Sequence, residues 1–215
     1  MPFAPFVPLR IFSSYTMLEG ALDPKAVAKL AKARGFPAVA LCDRNGLYAA
    51  MAFSDACMGA GIQPIIGSFV SIARPGGGPL DWLALYAQDD TGYANLCRIV
   101  SDAHLTPPDG TDPHITLEAL EGRTDGLLCL TGGGEGALAR LLSEGQADHA
   151  RAYADRLEAL FAGRIYVELS RRGDATEQAA EADLIDLAYA RDWPLVATNP
   201  ACFAEADFHP AHDAL

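Results

Sequence analysis

The sequence predicts an α/β fold, an irregular seven-stranded β/α barrel whose strands are mostly parallel. Short apolar runs alternate with helix-like segments along nearly all 215 residues, which is the pattern of strand–helix–strand units. Seven runs have strand character, and one neighbouring pair is joined by a loop too short to hold a helix, so that pair is predicted to be an antiparallel hairpin. An open doubly wound sheet is the alternative.

The predicted strands are short and rich in aliphatic residues, and they lie at 7–12, 38–42, 64–72, 82–87, 126–131, 164–169 and 194–199. Alternate side chains of a strand point to opposite faces. In the first strand, the aliphatic residues at 7, 9 and 11 therefore face one side, while Pro8, Arg10 and Phe12 share the other. The first helix is predicted to begin at the capping residue Asp23 and to end at Gly35.

Composition limits the classes of partner. Net charge is 16 − 28 = −12, and an acidic chain binds nucleic acid or anionic membrane poorly because such binding needs clustered Lys and Arg. The five cysteines are widely spaced without a C-x-x-C pair, which favours free thiols in a reducing compartment. The first residues lack the charged-then-apolar pattern of a signal peptide, and no apolar run reaches membrane-spanning length. A cytoplasmic location is predicted.

Polar side chains follow the first two predicted strands. Arg10 and Glu19 belong to the first strand and its elbow, and Asp43 and Arg44 follow the second strand. Because the ends of neighbouring parallel strands meet at one edge, we expect these four side chains to converge. Two arginines with two carboxylates form either a catalytic cluster or a neutral ion-pair network, and the balanced charges favour the network.

Other candidate motifs have simpler structural interpretations. Residues 131–136 (TGGGEG) lack the Lys of a phosphate loop, which favours a tight turn. Cys202 has no histidine placed to activate it and is interpreted as a spare thiol. His209 and His212 have metal-like spacing on a helix, but they lie beside a proline and the spacing alone does not define a site. Glu168 lies inside a predicted strand and is interpreted as a buried polar partner.

Four blocks of sequence carry a family resemblance, in order and over essentially all 215 residues. They read VPLRIFSSYTMLEGA, GFPAVALCDRNGLYAAMAFSDACMGAGIQPIIG, DTGYANLCRIVS and PLVATNPACFAEADFHPAHDAL. They resemble the PHP (polymerase and histidinol phosphatase) domain at the N-terminus of bacterial DNA polymerase III alpha subunits. The resemblance implies a TIM-barrel-like PHP domain at 1–203, with 204–215 starting the connection to a polymerase core.

The resemblance also locates the family's metal site. Metal-binding members hold a small metal cluster with His, Asp and Glu side chains at the strand ends. In this sequence other residues occupy most of those positions. Together with neighbouring residues they are predicted to form a vestigial metal-site pocket, made of Pro8, Arg10, Phe12, Glu19, Asp43, Arg44, Phe69, Trp82, Gly133, Pro200 and Cys202. Arginine brings a fixed positive charge that repels a cation. We therefore predict neither metal ligands nor catalytic residues, with Arg10 and Arg44 pairing with Glu19 and Asp43.

The function implied by the resemblance is structural. The domain would support a replicative polymerase in DNA replication and would itself be inert, while nucleotidyl transfer and its magnesium would belong to the polymerase core. The implied partners are the rest of the polymerase chain and the proofreading exonuclease subunit; DNA would be reached only through the full polymerase, and no membrane is involved. The alternative is a metal-dependent phosphoesterase or 3′–5′ exonuclease with a rearranged site.

Overall fold

The protein has a mixed α/β fold. A computed structural model describes residues 6–214, so the predicted domain ends at residues 1 and 215 lie outside the described residues. The chain forms two compact units: unit 1 is Met1–Ser68 with Asn199–Leu215, and unit 2 is Phe69–Thr198. The predicted boundary between residues 203 and 204 stays a prediction.

The described residues contain one six-stranded sheet, in which the strands are neighbours in chain order. The strands are β1 (Ala38–Arg44), β2 (Gln63–Ile72), β3 (Asp81–Ala87), β4 (Leu127–Leu130), β5 (Ile165–Leu169) and β6 (Leu195–Ala197). Each corresponds to one of the predicted strands, with ends that differ by at most two residues. The short apolar runs therefore correctly predicted these six strands.

The predicted strand at 7–12 is an extended segment rather than a regular strand. It makes only an isolated parallel bridge, from Ile11 to Ala201. On its other side, the Cys42 N–H donates to the Ile11 carbonyl at 2.9 Å, and the Ala40 N–H donates to the Pro8 carbonyl at 2.8 Å. Pro8 has no N–H of its own and the chain turns just after residue 12, so a continuous ladder does not develop. Among the described residues, the regular sheet therefore has six strands and does not include this segment.

Two of the sheet's strand pairs run in parallel and one runs antiparallel. β4–β5 and β5–β6 pair in parallel, whereas β3–β4 is antiparallel, with Ala84 opposite Leu130. The long connection explains this reversal. After α3 (Asp90–Leu105), Ile115 bridges Ile72 at the end of β2, and the chain then returns to the start of α3 before β4 begins. The chain thus runs along the sheet twice between β3 and β4, instead of once as in a β–α–β crossover.

Helices alternate with the strands, and three of those in the described residues begin at an aspartate whose side chain caps them. The α-helices are α1 (Pro24–Ala33), α2 (Ala50–Ala60), α3, α4 (Ala137–Ser143), α5 (Ala147–Phe161), α6 (Ala175–Ala190) and α7 (His209–His212). As predicted, Asp23 caps α1 by accepting from the backbone N–H groups of Lys25 and Ala26. Within residues 6–214, no helix combines the length and apolar character required to span a bilayer.

Each unit has its own apolar core. In unit 1, Val27 and Phe53 from α1 and α2 pack with Leu41 of β1. In unit 2, buried Leu85 and Val167 belong to the sheet. Packed interiors of this kind have little spare volume, so added atoms at close backbone contacts are costly.

The five cysteines are free thiols, as predicted. Cys42, Cys57 and Cys129 are buried. Burial raises the pKa of the Cys57 thiol to about 11, so this side chain stays protonated near neutral pH and packs as a small apolar group.

Two helical glycines provide a matched stability test. A methyl group at Gly92 would lie 1.8 Å from the Gly126 carbonyl oxygen, whereas one at Gly59 would meet nothing within 4 Å. We expect Gly92→Ala to lower the free energy of unfolding by about 1–3 kcal/mol through overpacking. Gly59→Ala is expected to raise it by roughly 0.5–1 kcal/mol, because alanine favours helix. Urea unfolding monitored by circular dichroism measures both, and equal effects would contradict the packing of α3 against residue 126.

Candidate functional site

The carboxylate of Asp43 organises the site in unit 1. Asp43 lies near the end of β1 and is only 2% exposed. Its Oδ1 accepts from the Ser13 N–H at 2.6 Å and from the Thr16 hydroxyl at 2.8 Å, and its Oδ2 accepts from the Ser13 hydroxyl at 2.7 Å. Both oxygens are therefore engaged by the turn at residues 13–19, called the elbow below. A carboxylate bound by three donors fixes this turn firmly.

An ion pair holds the far end of the elbow. The Arg44 Nε donates to Glu19 Oε1 at 2.8 Å and to Oε2 at 3.0 Å. The Arg44 and Glu19 side chains are 19% and 40% exposed, so water screens this pair and its contribution to stability is modest. The pairing of these two residues agrees with the ion-pair network predicted from the sequence. The predicted pairing of Arg10 with Asp43 stays a prediction.

Two guanidinium groups share one aromatic ring in this unit. The Cζ atoms of Arg10 and Arg44 lie 5.5 and 5.3 Å from the centroid of the Phe12 ring. Arg10 is 1% exposed and Phe12 is 2% exposed. At these distances a guanidinium is attracted by the negative face of the ring. Phe12 therefore supports two buried or half-buried cations at the positions singled out in the sequence.

Pro200 and Cys202, the predicted pocket residues near the end of the chain, lie close to Arg10 and Phe12 in sequence-distant but neighbouring segments. Ala201 bridges Ile11, so the flanking Pro200 and Cys202 lie alongside the segment that carries Arg10 and Phe12. The Ala21 N–H donates to the Cys202 carbonyl at 2.7 Å. Together with buried Pro8, eight of the eleven predicted pocket residues belong to unit 1.

The other three predicted residues belong to unit 2. Phe69 and Trp82 stack with ring centroids 5.0 Å apart and planes inclined by 21°. Gly133 has a φ of 56°, in the left-handed region, which agrees with the tight turn predicted for residues 131–136. A Cβ atom at Gly133 would lie 3.3 Å from Glu177 Oε2 and 3.9 Å from Glu168 Cδ. The backbone at Gly133 thus closely approaches two acidic side chains.

These two carboxylates are the main features that sequence reasoning missed or left unassigned. Glu168 is 1% exposed and accepts from the Thr198 hydroxyl at 2.6 Å. Glu177 is equally buried and accepts from the Ser170 hydroxyl at 2.9 Å. Burial, with a smaller effect from Glu168, raises the pKa of the Cys129 thiol. The Asp-x-x-Glu spacing at the start of α6 was an available signal for Glu177.

Unit 2 also contains a cavity of about 470 Å³. Asp81 accepts there from Arg74 Nε at 3.0 Å and from Arg140 Nε and Nη2 at 2.8 Å. The hydrogen bonds and charge of Asp81 raise the pKa of Arg140. The lining residues that the structure describes include none of the eleven predicted pocket residues, so this ion-pair cluster is separate from the predicted site.

The residues in unit 1 do not fit a metal cluster. Where the family resemblance places imidazole ligands, unit 1 has guanidinium groups and a phenyl ring, and both oxygens of Asp43 already accept protein hydrogen bonds. Across residues 6–214, no three His, Cys, Asp or Glu side chains are grouped to hold a metal ion. The rings of His209 and His212 instead pack against Phe203, at centroid distances of 6.1 and 4.9 Å.

The fold and this set of strand-end residues define the class of protein. Residues 8–172 match the PHP domain family, and the chain belongs to that family. Solved structures with a similar fold include an inferred metal-dependent phosphoesterase from Bifidobacterium adolescentis, with a TM-score of 0.60, 14% identity, and coverage of 95% of this chain and 90% of that chain. An amidohydrolase from Chromobacterium violaceum has a TM-score of 0.57 and 17% identity, with coverage of 92% of this chain and 87% of that chain. At these identities the likeness supports the fold alone.

The curated relatives are more specific. The chain is 39% identical to the DNA polymerase III subunit alpha of Caulobacter vibrioides, over 98% of this chain and 19% of the relative. The corresponding proteins of Rickettsia bellii and Escherichia coli K12 are each 33% identical, over 98% and 97% of this chain and 18% of the relative. The chain is therefore homologous to the N-terminal region of DNA polymerase III alpha, and it spans about a fifth of the length of these relatives.

Removing the Asp43 carboxylate tests its role in the elbow. Asp43→Ala leaves two hydroxyl donors and one buried N–H without their acceptor, so we expect a loss of about 3 kcal/mol or more in the free energy of unfolding. Asp55→Ala, at an exposed position of α2, is the matched control and should change it by less than about 0.5 kcal/mol. Urea titration of both variants provides the comparison. Similar stabilities would show that Asp43 does not hold the elbow.

Proposed function

We propose that this chain is the N-terminal PHP domain of a replicative DNA polymerase III alpha subunit and that the domain itself is catalytically inert. Its role is to support the polymerase and to bind other subunits during DNA replication. The observation that carries the proposal is the stacking of Arg10 and Arg44 on Phe12, because the resemblance places metal-binding histidines at these positions.

Electrostatics supports a metal-free pocket. A divalent cation about 5 Å from one guanidinium is repelled by roughly 7 kcal/mol at an effective dielectric constant of about 20. Both Arg10 and Arg44 lie near the Phe12 ring, so a metal ion in this space would lie close to two guanidinium groups. The Glu19 carboxylate is already paired with Arg44, which weakens the repulsion from Arg44 but also occupies a carboxylate that could bind a metal ion. The eight predicted residues that belong to unit 1 are thus proposed to be a vestigial metal site with no resident cofactor.

The proposed partners follow from the relatives. About four-fifths of the relatives' length lies outside the matched region, and we propose that this polymerase body, with its magnesium, performs nucleotidyl transfer in the cytoplasm. The proofreading exonuclease subunit is the second proposed partner. With a net charge of −12, the domain itself is a poor ligand for DNA, which would be bound only through the full polymerase.

We also propose that the sheet belongs to a barrel of the kind found in this family. The segment 7–12 bonds through its backbone to β1 on one side and to residue 201 on the other. We propose that it takes the place of the seventh strand, although its pairing is too short to form a regular ladder.

The second candidate function is a phosphoesterase or 3′–5′ exonuclease with a rearranged metal site. The observation that favours it is the pair of buried carboxylates, Glu168 and Glu177, beside Gly133. Carboxylates are ligands for manganese and magnesium. However, both already accept hydrogen bonds from Thr198 and Ser170, so a metal ion would have to displace protein donors.

Metal content and nuclease activity separate these two functions. We expect purified protein to contain far less than one equivalent of zinc or manganese by mass spectrometry, and no 3′–5′ exonuclease activity on single-stranded DNA with added manganese. The R10H/F12H variant removes one guanidinium and adds two imidazole donors, so it should bind zinc more tightly. The R34H/F36H variant makes the same change outside the pocket and should bind zinc no more tightly than the unaltered protein.

Stoichiometric metal in the unaltered protein, with exonuclease activity lost on chelation, would contradict the proposal. Equal zinc binding by R10H/F12H and R34H/F36H would show that residues 10 and 12 do not lie at a former metal site.

A further inference from the structure

Unit 1 exposes a group of large apolar side chains around the elbow. Tyr15, Met17 and Leu18 belong to the elbow, and Tyr48 and Met51 lie at the start of α2. Met17 and Leu18 are 80% and 76% exposed. The rings of Tyr15 and Tyr48 lie 6.2 Å apart, which joins the two segments into one surface. We call these five residues the elbow patch. Contiguous exposed apolar surface of this kind marks interaction sites.

The elbow patch is fixed rather than loosely exposed. The Asp43 carboxylate holds the backbone and hydroxyl of Ser13 and the hydroxyl of Thr16, immediately beside Tyr15 and Met17. Leu18 has a φ of 67°, a left-handed conformation that is unfavourable for a residue with a large side chain. The fold thus maintains a strained backbone that presents an apolar side chain to water, a combination that occurs at functional surfaces.

The chemistry of the elbow patch suits a protein partner. Residues 11–18 and 45–54 contain no charged side chain, in a chain with 16 basic and 28 acidic residues. Three of the four methionines, Met17, Met51 and Met58, are exposed on unit 1. Methionine adapts its shape to apolar partners, and aromatic residues and methionine are enriched in protein interfaces. Nucleic acid would instead require cations to meet its phosphates.

The position of α7 indicates which protein covers the elbow patch. The His212 Nε2 atom lies 2.6 Å from the carbonyl oxygen of Glu19, so the chain at residue 212 is bonded to the elbow itself. In the polymerase III alpha relatives, about four-fifths of the protein lies outside the region matched here. A polymerase body joined after α7 would be tethered next to the elbow patch, and such a tether gives a high effective concentration.

We propose that the elbow patch is the surface on which the polymerase body of the same chain docks. This inference rests on the proposed function, because it takes the chain to be part of a polymerase III alpha subunit. Apolar contacts of Met17, Leu18 and Met51 form the centre of the interface, and the bonded α7 sets its position.

Hydroxyl-radical footprinting of the full polymerase chain that begins with this sequence tests the proposal. The labelling rates of Met17, Met51 and Tyr48 are compared with those in the 215-residue chain. We expect them to fall about fivefold or more in the full chain, because the centre of an interface excludes water. Leu105 and Tyr189 are equally exposed in unit 2 and serve as internal controls, which should keep their rates.

Substitution provides the second arm. The M17S/L18N/M51S variant of the full chain keeps a residue that tolerates positive φ at position 18 and should restore labelling of Tyr48 to the level of the 215-residue chain. The L105S/Y189S variant is the matched control and should leave the protection of the elbow patch intact. Circular dichroism of the same substitutions in the 215-residue chain establishes that unit 1 remains folded.

Equal labelling in the full and 215-residue chains would overturn the inference. Protection that develops only when the proofreading exonuclease subunit is added would also overturn it, because the occupant would then be a separate protein. The metal and nuclease measurements on the same full chain are independent of these results. Bound metal with nuclease activity at this domain would contradict the proposed function. Unchanged labelling in a metal-free domain would contradict only the inference that the elbow patch is the docking surface.

Discussion

The hydrogen-bonded carboxylate of Asp43 is the interaction on which unit 1 depends most. It receives three donors from the elbow, and it stands beside Arg44 in sequence, so one short segment fixes the elbow at its base and at its far end. The same anchoring presents Tyr15, Met17 and Leu18 to solvent. The buried polar network and the exposed apolar surface are therefore two results of one structural arrangement, and a change at Asp43 affects both.

Arg10 and Arg44 share one aromatic ring, and Arg44 also pairs with the carboxylate of Glu19. Arg10 is almost fully buried, and burying a guanidinium is costly unless its charge is compensated. The face of Phe12 supplies part of this compensation for Arg10 and for Arg44 together. Planar, delocalised guanidinium groups suit this arrangement better than a lysine ammonium would. The two arginines thus both depend on the ring of Phe12.

Much of this architecture was readable from the sequence because its signals are local. Alternation placed Arg10 and Phe12 on one side of the first segment, where the guanidinium lies over the ring, and Asp23 marked the start of α1. The antiparallel β3–β4 pair was not readable, because strand direction depends on how many times the intervening chain crosses the sheet. The double stacking on Phe12 joins residues that are far apart in sequence, and no pattern encodes such a contact. The Asp-x-x-Glu spacing marked Glu177 as a residue of the first turn of α6, but its bonds to Ser170 depend on the tertiary fold.

The shared ring of Phe12 also has a consequence for the evolutionary history of this pocket. Replacing Phe12 with histidine alone would remove the support of two guanidinium groups before any metal ion could compensate. Replacing Arg10 alone would leave a buried phenyl ring in place of a ligand, with Arg44 still present. For the proposed vestigial site, each single substitution toward metal ligands is therefore disfavoured while the other residues remain, and a return to metal binding would require several substitutions at once.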